Sequence, residues 1–245
     1  MRFDVLSVLP GIVEGAFAGE GVVGRAVVSG LIDLRVRNLR DFTEGSYRQT
    51  DDAPYGGGAG MVMKPEPIAR AIEAISAEGA EGEGKPWRVL LSPQGRRFDQ
   101  GAAEALAARP WILLICGRYE GVDERIRLGF VDEEISIGDY VLSGGEIPAM
   151  AVIDAVSRLK PGVLGSGESA AQDSFSAGLL DHPHYTRPAE IGGMRVPEVL
   201  MSGDHEAIRR WRRQEAVRRT LERRKDLLER AELTEEEERL LRSSS

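Results

Sequence analysis

The spacing of apolar residues along the chain predicts alternating strands and helices over its first two thirds. Arg2 to Leu9 alternates apolar and polar positions before Pro10-Gly11, the pattern of a strand running into a turn. Ile12 to Ser29 has helical spacing interrupted by glycines, and Leu31 to Val36 returns to a strand. Ile68, Ala71, Ile72 and Ile75 recur at i, i+3, i+4 and i+7, which predicts a helix opened by Pro65 and Pro67. Val89-Leu90-Leu91 reads as a short buried strand ending in Ser92-Pro93-Gln94-Gly95. A helix over Ala102 to Ala108 follows, then the unbroken apolar strand Trp111 to Cys116. Glu146 to Lys160 closes the series as a helix, with Ile147, Met150, Val152, Ile153, Val156 and Leu159 as its apolar face. Near-continuous apolar strands alternating with helices predict an α/β domain with a parallel sheet.

Between these elements the pattern lapses twice. The stretch from Arg40 to Gly60 has no periodicity and contains Gly56-Gly57-Gly58, so an irregular, mobile loop is expected. Residues 165–177 are small and polar, the composition of a flexible linker, and place a boundary between one domain at 1–164 and a second at 178–245. Beyond Pro183, Pro188 and Pro197 the second is predicted to be a small helical module. Ile208, Trp211, Val217, Leu221, Leu227 and Leu228 supply its apolar positions over 205–230, and Thr234 with Glu237 gives a capping-box pattern for a last helix.

The formal charge of −8 is unevenly distributed. Residues 209 to 230 hold ten Arg or Lys against four Asp or Glu, a local +6 in a chain otherwise at −14. A basic segment on an acidic protein is the footprint expected for a phosphate backbone, although a solvated helix face has the same composition. No apolar run reaches the roughly 18 to 20 residues that span a bilayer, and Met1-Arg2-Phe3-Asp4 lacks a signal-peptide pattern, so a cytoplasmic protein without membrane partners is expected. The single cysteine, Cys116, excludes an intramolecular disulfide and a multi-thiolate zinc site, and reads as a small buried hydrophobe. Three histidines, His182, His184 and His205, leave little for a histidine cage, and no metal ligands are assigned.

Candidate chemistry concentrates behind Cys116. Three glycine-dense turns, Gly117 to Gly121, Ile137 to Tyr140 and Ser143 to Glu146, lie within one short stretch. Glycine permits positive φ and close backbone approach, so the cluster predicts a small-molecule cradle rather than three ordinary loops. In parallel sheets ligands sit beyond the carboxyl ends of strands, where Ser92 to Gly95 and Gly117 to Gly121 fall.

These strings resemble a known family. Asp51-Asp52 with Pro54-Tyr55-Gly56-Gly57-Gly58, Leu91 to Gly95, Gly117 to Arg125, Ser136 to Glu146, Asp173-Ser174-Phe175 and His184-Tyr185-Thr186-Arg187-Pro188 are similar to the bacterial tRNA (guanine-37-N1)-methyltransferases of the SPOUT class, over most of the chain. The resemblance implies a deep trefoil knot near residues 88 to 145, which periodicity cannot reveal. It also implies a homodimer with active sites at the interface, and S-adenosylmethionine bound in the knot. By the same resemblance Leu91, Ser92, Pro93, Gly117, Ile137, Gly138, Asp139, Tyr140, Val141, Leu142, Gly144 and Gly145 hold that methyl donor, with Tyr119 and Glu120 near its methionine portion. The substrate implied is tRNA with guanine at position 37. One departure stands before Asp173: Gln172 occupies a position commonly acidic in the family.

Methylating guanine N1 requires removal of its proton. Asp173 matches the family's general base; read alone, Asp-Ser before an apolar residue favours a helix N-cap. Arg158 matches an arginine suited to charge developing on guanine O6, where a helix C-terminal charge is the structural alternative. The family's reported magnesium dependence makes Glu120 and Asp173 candidate ligands, without an octahedral oxygen signature in the sequence. Two other readings compete: a ribose 2′-oxygen methyltransferase of the same class, and a metabolite-sensing DNA-binding regulator. A Walker-type hydrolase is excluded, because no Gly-Lys-Ser/Thr follows Gly56 to Gly60.

Overall fold

The computed structural model describes residues 1–79, 84–164, 173–175, 178–229, 231 and 233–243. The chain divides into two compact units, Met1–Gly165 and Ser166–Ser245. Ten residues of the expected linker, 165–172 and 176–177, fall outside the described residues, as do 80–83 of the glycine-rich connector between Gly79 and Gly84.

In the first unit the elements run β1 (Arg2–Ser7), α1 (Pro10–Ala16), α2 (Gly21–Val28), β2 (Asp33–Asn38), β3 (Asp51–Asp52), β4 (Val62–Met63), α3 (Pro65–Ala77), β5 (Trp87–Arg97), α4 (Gln100–Ala107), β6 (Trp111–Cys116), α5 (Glu124–Phe130), β7 (Glu133–Ser136) and α6 (Glu146–Arg158). Five strands form one parallel sheet in the order β2-β1-β6-β5-β7. Strand β6 is buried at all six positions and divides by period two. Ile112, Leu114 and Cys116 join the core formed with α1, α2, α4 and α6, while Trp111, Leu113 and Ile115 join the one formed with α3 and α5. Helices therefore cover both faces of the sheet, which explains why β6 carries no polar face.

Several sequence expectations need correcting. Pro10-Gly11 opens a helix rather than a turn, with proline at a first-turn position where its missing N–H costs nothing. The polar residues of β1 do not face water, because the strand is internal. Asp4 is fully buried and accepts from Trp111 Nε1 (2.8 Å), Arg2 Nε (2.7 Å) and Arg37 Nε (2.8 Å), so its charge is paired rather than solvated. The stretch from Arg40 to Gly60 is not wholly irregular: it holds most of a short 3-10 turn, Leu39–Phe42, and strand β3, which pairs antiparallel with β4 just beyond it. On α6 the buried stripe is Ala149, Val152, Ile153 and Val156, and Ile147 is left 53% exposed.

Strand β5 is also longer than Val89 to Leu91. Leu91 pairs with Ile135, the register then shifts, and Arg96 pairs with the same Ile135, so Ser92 to Gly95 loops out across β7. A Cβ on Gly95 would lie 2.5 Å from the carbonyl carbon of Glu134, so only glycine lets the loop cross this closely.

The second unit begins, among its described residues, with a turn at Asp173–Phe175. It continues with a hairpin of β8 (Glu190–Ile191) and β9 (Met194–Arg195), whose turn glycines Gly192 and Gly193 both have positive φ. Helices α7 (Glu198–Met201), α8 (His205–Arg223), α9 (Lys225–Leu228) and α10 (Glu235–Ser243) complete it. The helical run expected over 205–230 breaks at Arg224 (φ −146°). Asp204 caps α8 through Glu206 N and Ala207 N (both 3.0 Å), and Thr234 and Glu237 form the reciprocal capping box. Leu179, Ala216 and Val217 form the core, whereas Trp211 is half-buried with its ring 6.2 Å from that of Tyr185. No helix among the described residues is long and apolar enough to cross a membrane.

The start of β5 is held to the start of β7 by charge. The Asp132 carboxylate accepts from Arg88 N (2.8 Å), Nε (2.8 Å) and Nη2 (2.6 Å), and the guanidinium hydrogen bonds hold the carboxyl below its usual range. A lowered native value adds stability that is complete above the unfolded value of about 3.9 and fades as pH falls through the native one. Asp132→Asn is therefore expected to lower the urea midpoint at pH 7 and leave it nearly unchanged at pH 2. Equal losses at both pH values would show that the contribution is not ionic.

Candidate functional site

At the carboxyl ends of β5, β6 and β7 the loops enclose a cavity of about 300 Å³. Its walls bring together thirteen of the fourteen residues expected to hold a ligand: Leu91, Ser92, Pro93, Gly117, Tyr119, Glu120, Ile137, Gly138, Tyr140, Val141, Leu142, Gly144 and Gly145. Asp139 is exposed and does not line it. Gln94, Val122 and Ser136, which lay in the motif strings without being assigned to the ligand, also contribute to the walls, as do Ile135 and Pro148, which the sequence did not point to. Gln94, Ile135 and Ser136 enter where β5 loops across β7, and Val122 and Pro148 enter from the turn after β6 and the first turn of α6.

The first and third glycine turns are joined backbone to backbone. Gly145 N donates to Gly117 O at 2.8 Å, and Arg118 and Gly144 form an isolated antiparallel bridge. A Cβ on Gly145 would sit 2.6 Å from Cys116 Cα, closer than real Cβ atoms approach, so glycine is required here by proximity. Beneath the junction lies Glu146, the first residue of α6, only 2% exposed. It accepts from Ser7 Oγ (2.6 Å) and Arg118 Nη1 (3.1 Å), and the helix N-terminus further favours its negative charge. One carboxylate thus ties the end of β1, the turn after β6 and the start of α6 together. Its legible signal was an acid directly after Gly-Gly at a helix start.

The Gly117 to Gly121 turn is also fastened from its other side. Glu120 N donates to Met61 O (3.0 Å), Met63 N to Gly121 O (2.9 Å), and Arg118 N to the Met63 sulfur (3.1 Å). Tyr119 adopts φ +59°, a left-handed conformation that costs a non-glycine residue about 1 kcal/mol or more and places its half-exposed ring at the cavity. The glycine-rich loop has a use at Gly60 (φ +82°), where a Cβ would lie 2.6 Å from Glu120 Cγ. Cys116 is fully buried beneath the cradle, and burial pushes its thiol well above the ordinary value, as suits a packing residue and not a nucleophile.

The two expected catalytic residues are not beside this cavity in its own unit. Arg158 is the last residue of α6, half-buried, whereas the cradle touches the first turn of the same helix. At 1.5 Å rise per residue the two ends are about 18 Å apart. Asp173 belongs to the second unit, in an exposed turn, where Phe175 N donates to Leu179 O (2.7 Å) and residue 176, which a cap would also serve, lies outside the described residues. Among the described residues, Glu120 and Asp173 do not gather with other donors into a metal-like group.

On α8 the arginines divide into two sets. Arg210, Arg213 and Arg218 pair with Glu206, Glu237 and Glu215, so Arg218 is partly neutralised. Arg209, Arg212, Arg219 and Arg223 have no ion-pair partner among the described residues. By helical rotation these four fall within about 80° of one another, forming one positive stripe.

Removing the Glu146 side chain leaves Arg118 and Ser7 without their partner. Glu146→Ala is expected to cost roughly 3 kcal/mol, somewhat less if Arg118 turns to water. Glu146→Gln, which keeps the Ser7 contact, should cost visibly less in urea denaturation. Equal, small losses in both would show that the carboxylate is not what holds the turns.

Comparison with known proteins agrees across the whole chain. Residues 1–230 match the family model described as tRNA (Guanine-1)-methyltransferase TrmD. A protein of Symbiobacterium thermophilum named tRNA (guanine-N(1)-)-methyltransferase is 55% identical, covering 98% of this chain and 97% of its own. Proteins of the same name from Moorella thermoacetica (51% identical, 100% of this chain and 97% of its own) and Geobacter metallireducens (52%, 98% and 96%) are similar in the same way.

Proposed function

Because the chain belongs to the tRNA (guanine-1)-methyltransferase family, and is an enzyme of that family, we propose that its glycine cradle holds S-adenosylmethionine for methyl transfer to N1 of guanine 37 in tRNA. The observation that carries this reading is the convergence of three glycine turns on one cavity at the carboxyl edge of a parallel sheet. The lining fits an adenosyl group. Leu91, Pro93, Ile137 and Leu142 offer apolar contact, and the turns offer backbone N–H and C=O groups at the edge of a base. The bound sulfonium supplies a methyl group already activated for displacement, leaving the protein to align acceptor and donor.

The acceptor needs its N1 proton removed, because that lone pair is otherwise delocalised into the ring. Asp173 takes the proton, and Arg158 faces the charge that moves onto O6. As N1 bonds to the methyl carbon, the carbon–sulfur bond breaks and its electron pair leaves with sulfur as a neutral thioether. The separation of Arg158 from the cradle along α6 supports a homodimer in which one chain's cradle works with its partner's Arg158 and Asp173. Exposed Ile147, Tyr140 and Val141 near the start of α6 give such a dimer apolar surface to cover. The crossing of β5 over β7 at Gly95 and the seating of Gly145 against Cys116 support a knotted path for the chain. The positive stripe on α8 is assigned to tRNA phosphates.

Two measurements test this function. With labelled S-adenosylmethionine and an unmodified transcript bearing guanine 37, the wild type is expected to yield N1-methylguanine. Asp173→Ala should lose about 10²- to 10⁴-fold in rate while still binding the donor. A ribose 2′-O-methyl product would overturn the assignment. For docking, Arg209→Glu and Arg223→Glu are expected to weaken tRNA binding and lower its salt slope by about 0.7 to 0.9 for each phosphate no longer neutralised, with Arg218→Glu weaker in effect. An equal response from Arg218→Glu would count against the stripe.

A further inference from the structure

Outside the cradle, the second unit contains one group of side chains with no part in the proposed reaction. Asp181, His182 and His184 place a carboxylate oxygen, Nδ1 and Nε2 within 4.8 Å of one another. His182 Nδ1 and His184 Nε2 each lie 2.7 Å from a different oxygen of Asp181, and the two rings are 4.4 Å apart. From this convergence we propose that Asp181, His182 and His184 form a binding site for a divalent transition metal of the zinc class, distinct from the methyl-donor cradle.

The donor set selects the metal. Two imidazoles and one carboxylate suit zinc and its first-row neighbours, whereas magnesium and calcium prefer oxygen alone. Tetrahedral bonds of about 2.0 to 2.2 Å set donor atoms roughly 3.4 Å apart, so the present nitrogen–oxygen contacts of 2.7 Å must open by a little over half an ångström. His184 can supply that movement, its side chain being 71% exposed, while His182 and Asp181 are the less exposed pair at 11% and 23%.

The backbone holding these donors is fastened on both sides. Leu180 N donates to Thr220 Oγ1 (2.9 Å) on α8, Asp181 N to Ser174 Oγ (3.0 Å), and His182 N to Asp181 Oδ1 (2.7 Å). Pro183 stiffens the single residue between the histidines. Thr220 is itself fully buried and donates to Ala216 O (2.7 Å), so the loop is positioned from the unit's core. Both imidazoles line a cavity of about 310 Å³ together with Arg187 and Arg212, which leaves room for water to complete the coordination shell. The two arginines oppose the ion's charge, and Asp181 is the one acid within the donor set that offsets it.

The test titrates the metal-stripped full-length protein with Zn2+ alone against a chromogenic chelator, in a buffer containing millimolar Mg2+. It is repeated with Co2+, whose visible spectrum reports coordination. One equivalent of Zn2+ per chain is expected, undisplaced by Mg2+, with Co2+ bands of nitrogen–oxygen coordination. His184→Asn and Asp181→Asn should each weaken binding by at least about tenfold, the loss seen when even an outer partner of a metal ligand is removed. His184 is exposed enough for its replacement to fold, and circular dichroism checks both variants. Absence of binding in the wild type, or binding unchanged in both variants, would overturn the site and leave the triad a hydrogen-bonded tether. S-adenosylmethionine affinity, measured in parallel, reads the cradle independently.

Discussion

A single hydrogen bond between two backbones, Gly145 N to Gly117 O at 2.8 Å, brings the start of α6 against the end of β6. It exists only because position 145 carries no Cβ, which would meet Cys116 Cα at 2.6 Å. Everything at the carboxyl edge of the sheet follows from that contact. The turns on either side are forced into proximity, their remaining N–H and C=O groups face a common space, and Glu146 falls directly beneath. A buried carboxylate is costly unless paired, and here Ser7, Arg118 and the helix N-terminus satisfy it together. The same carboxylate that needs these partners therefore fixes three separate segments of the chain.

The geometry of α6 then divides the proposed chemistry in space. Its first turn borders the cavity and its last carries Arg158, so in the proposed reaction one helix would serve two sites. In the proposed homodimer a second copy of the chain would supply the missing end, its Arg158 working with this chain's cradle. Charge is distributed on the same logic. The arginines of α8 that pair with neighbouring acids are partly neutralised, and those without such partners among the described residues share one positive stripe, the face proposed for tRNA phosphates.

Much of this was legible in the chain itself. An unbroken apolar run located β6, the 3.6-residue period located α3 and α6, and the density of glycine between Gly117 and Gly145 pointed at the cavity. The capping box at Thr234 and Glu237 was readable as a motif because its chemistry is local. What escaped depends on contacts between distant segments. The alternation of β1 gave no sign that its polar residues would be buried, which follows from Trp111 and Arg37 being brought to Asp4. The extension of β5 past Pro93 requires β7 beneath it, and Gln94 and Ser136 enter the cavity for the same reason. Ile147 is apolar but lies about 170° by helical rotation from the centre of the buried stripe of α6, on the face turned away from the sheet, so its apolar character alone did not bury it. The donors of the Asp181 group are close in sequence, yet three histidines in the chain gave no sign that two of them converge on a carboxylate.

The claim on which the functional reading most depends is that one active site is assembled from two chains. It is tested by mixing two inactive variants, Gly144→Ala, chosen to spoil the cradle, and Arg158→Ala, under conditions that exchange subunits. Only a mixed dimer unites an intact cradle with an intact Arg158, so random exchange is expected to restore about a quarter of wild-type activity. No recovery, with exchange verified by mass, would contradict a shared site and return Arg158 and the cradle to the same chain.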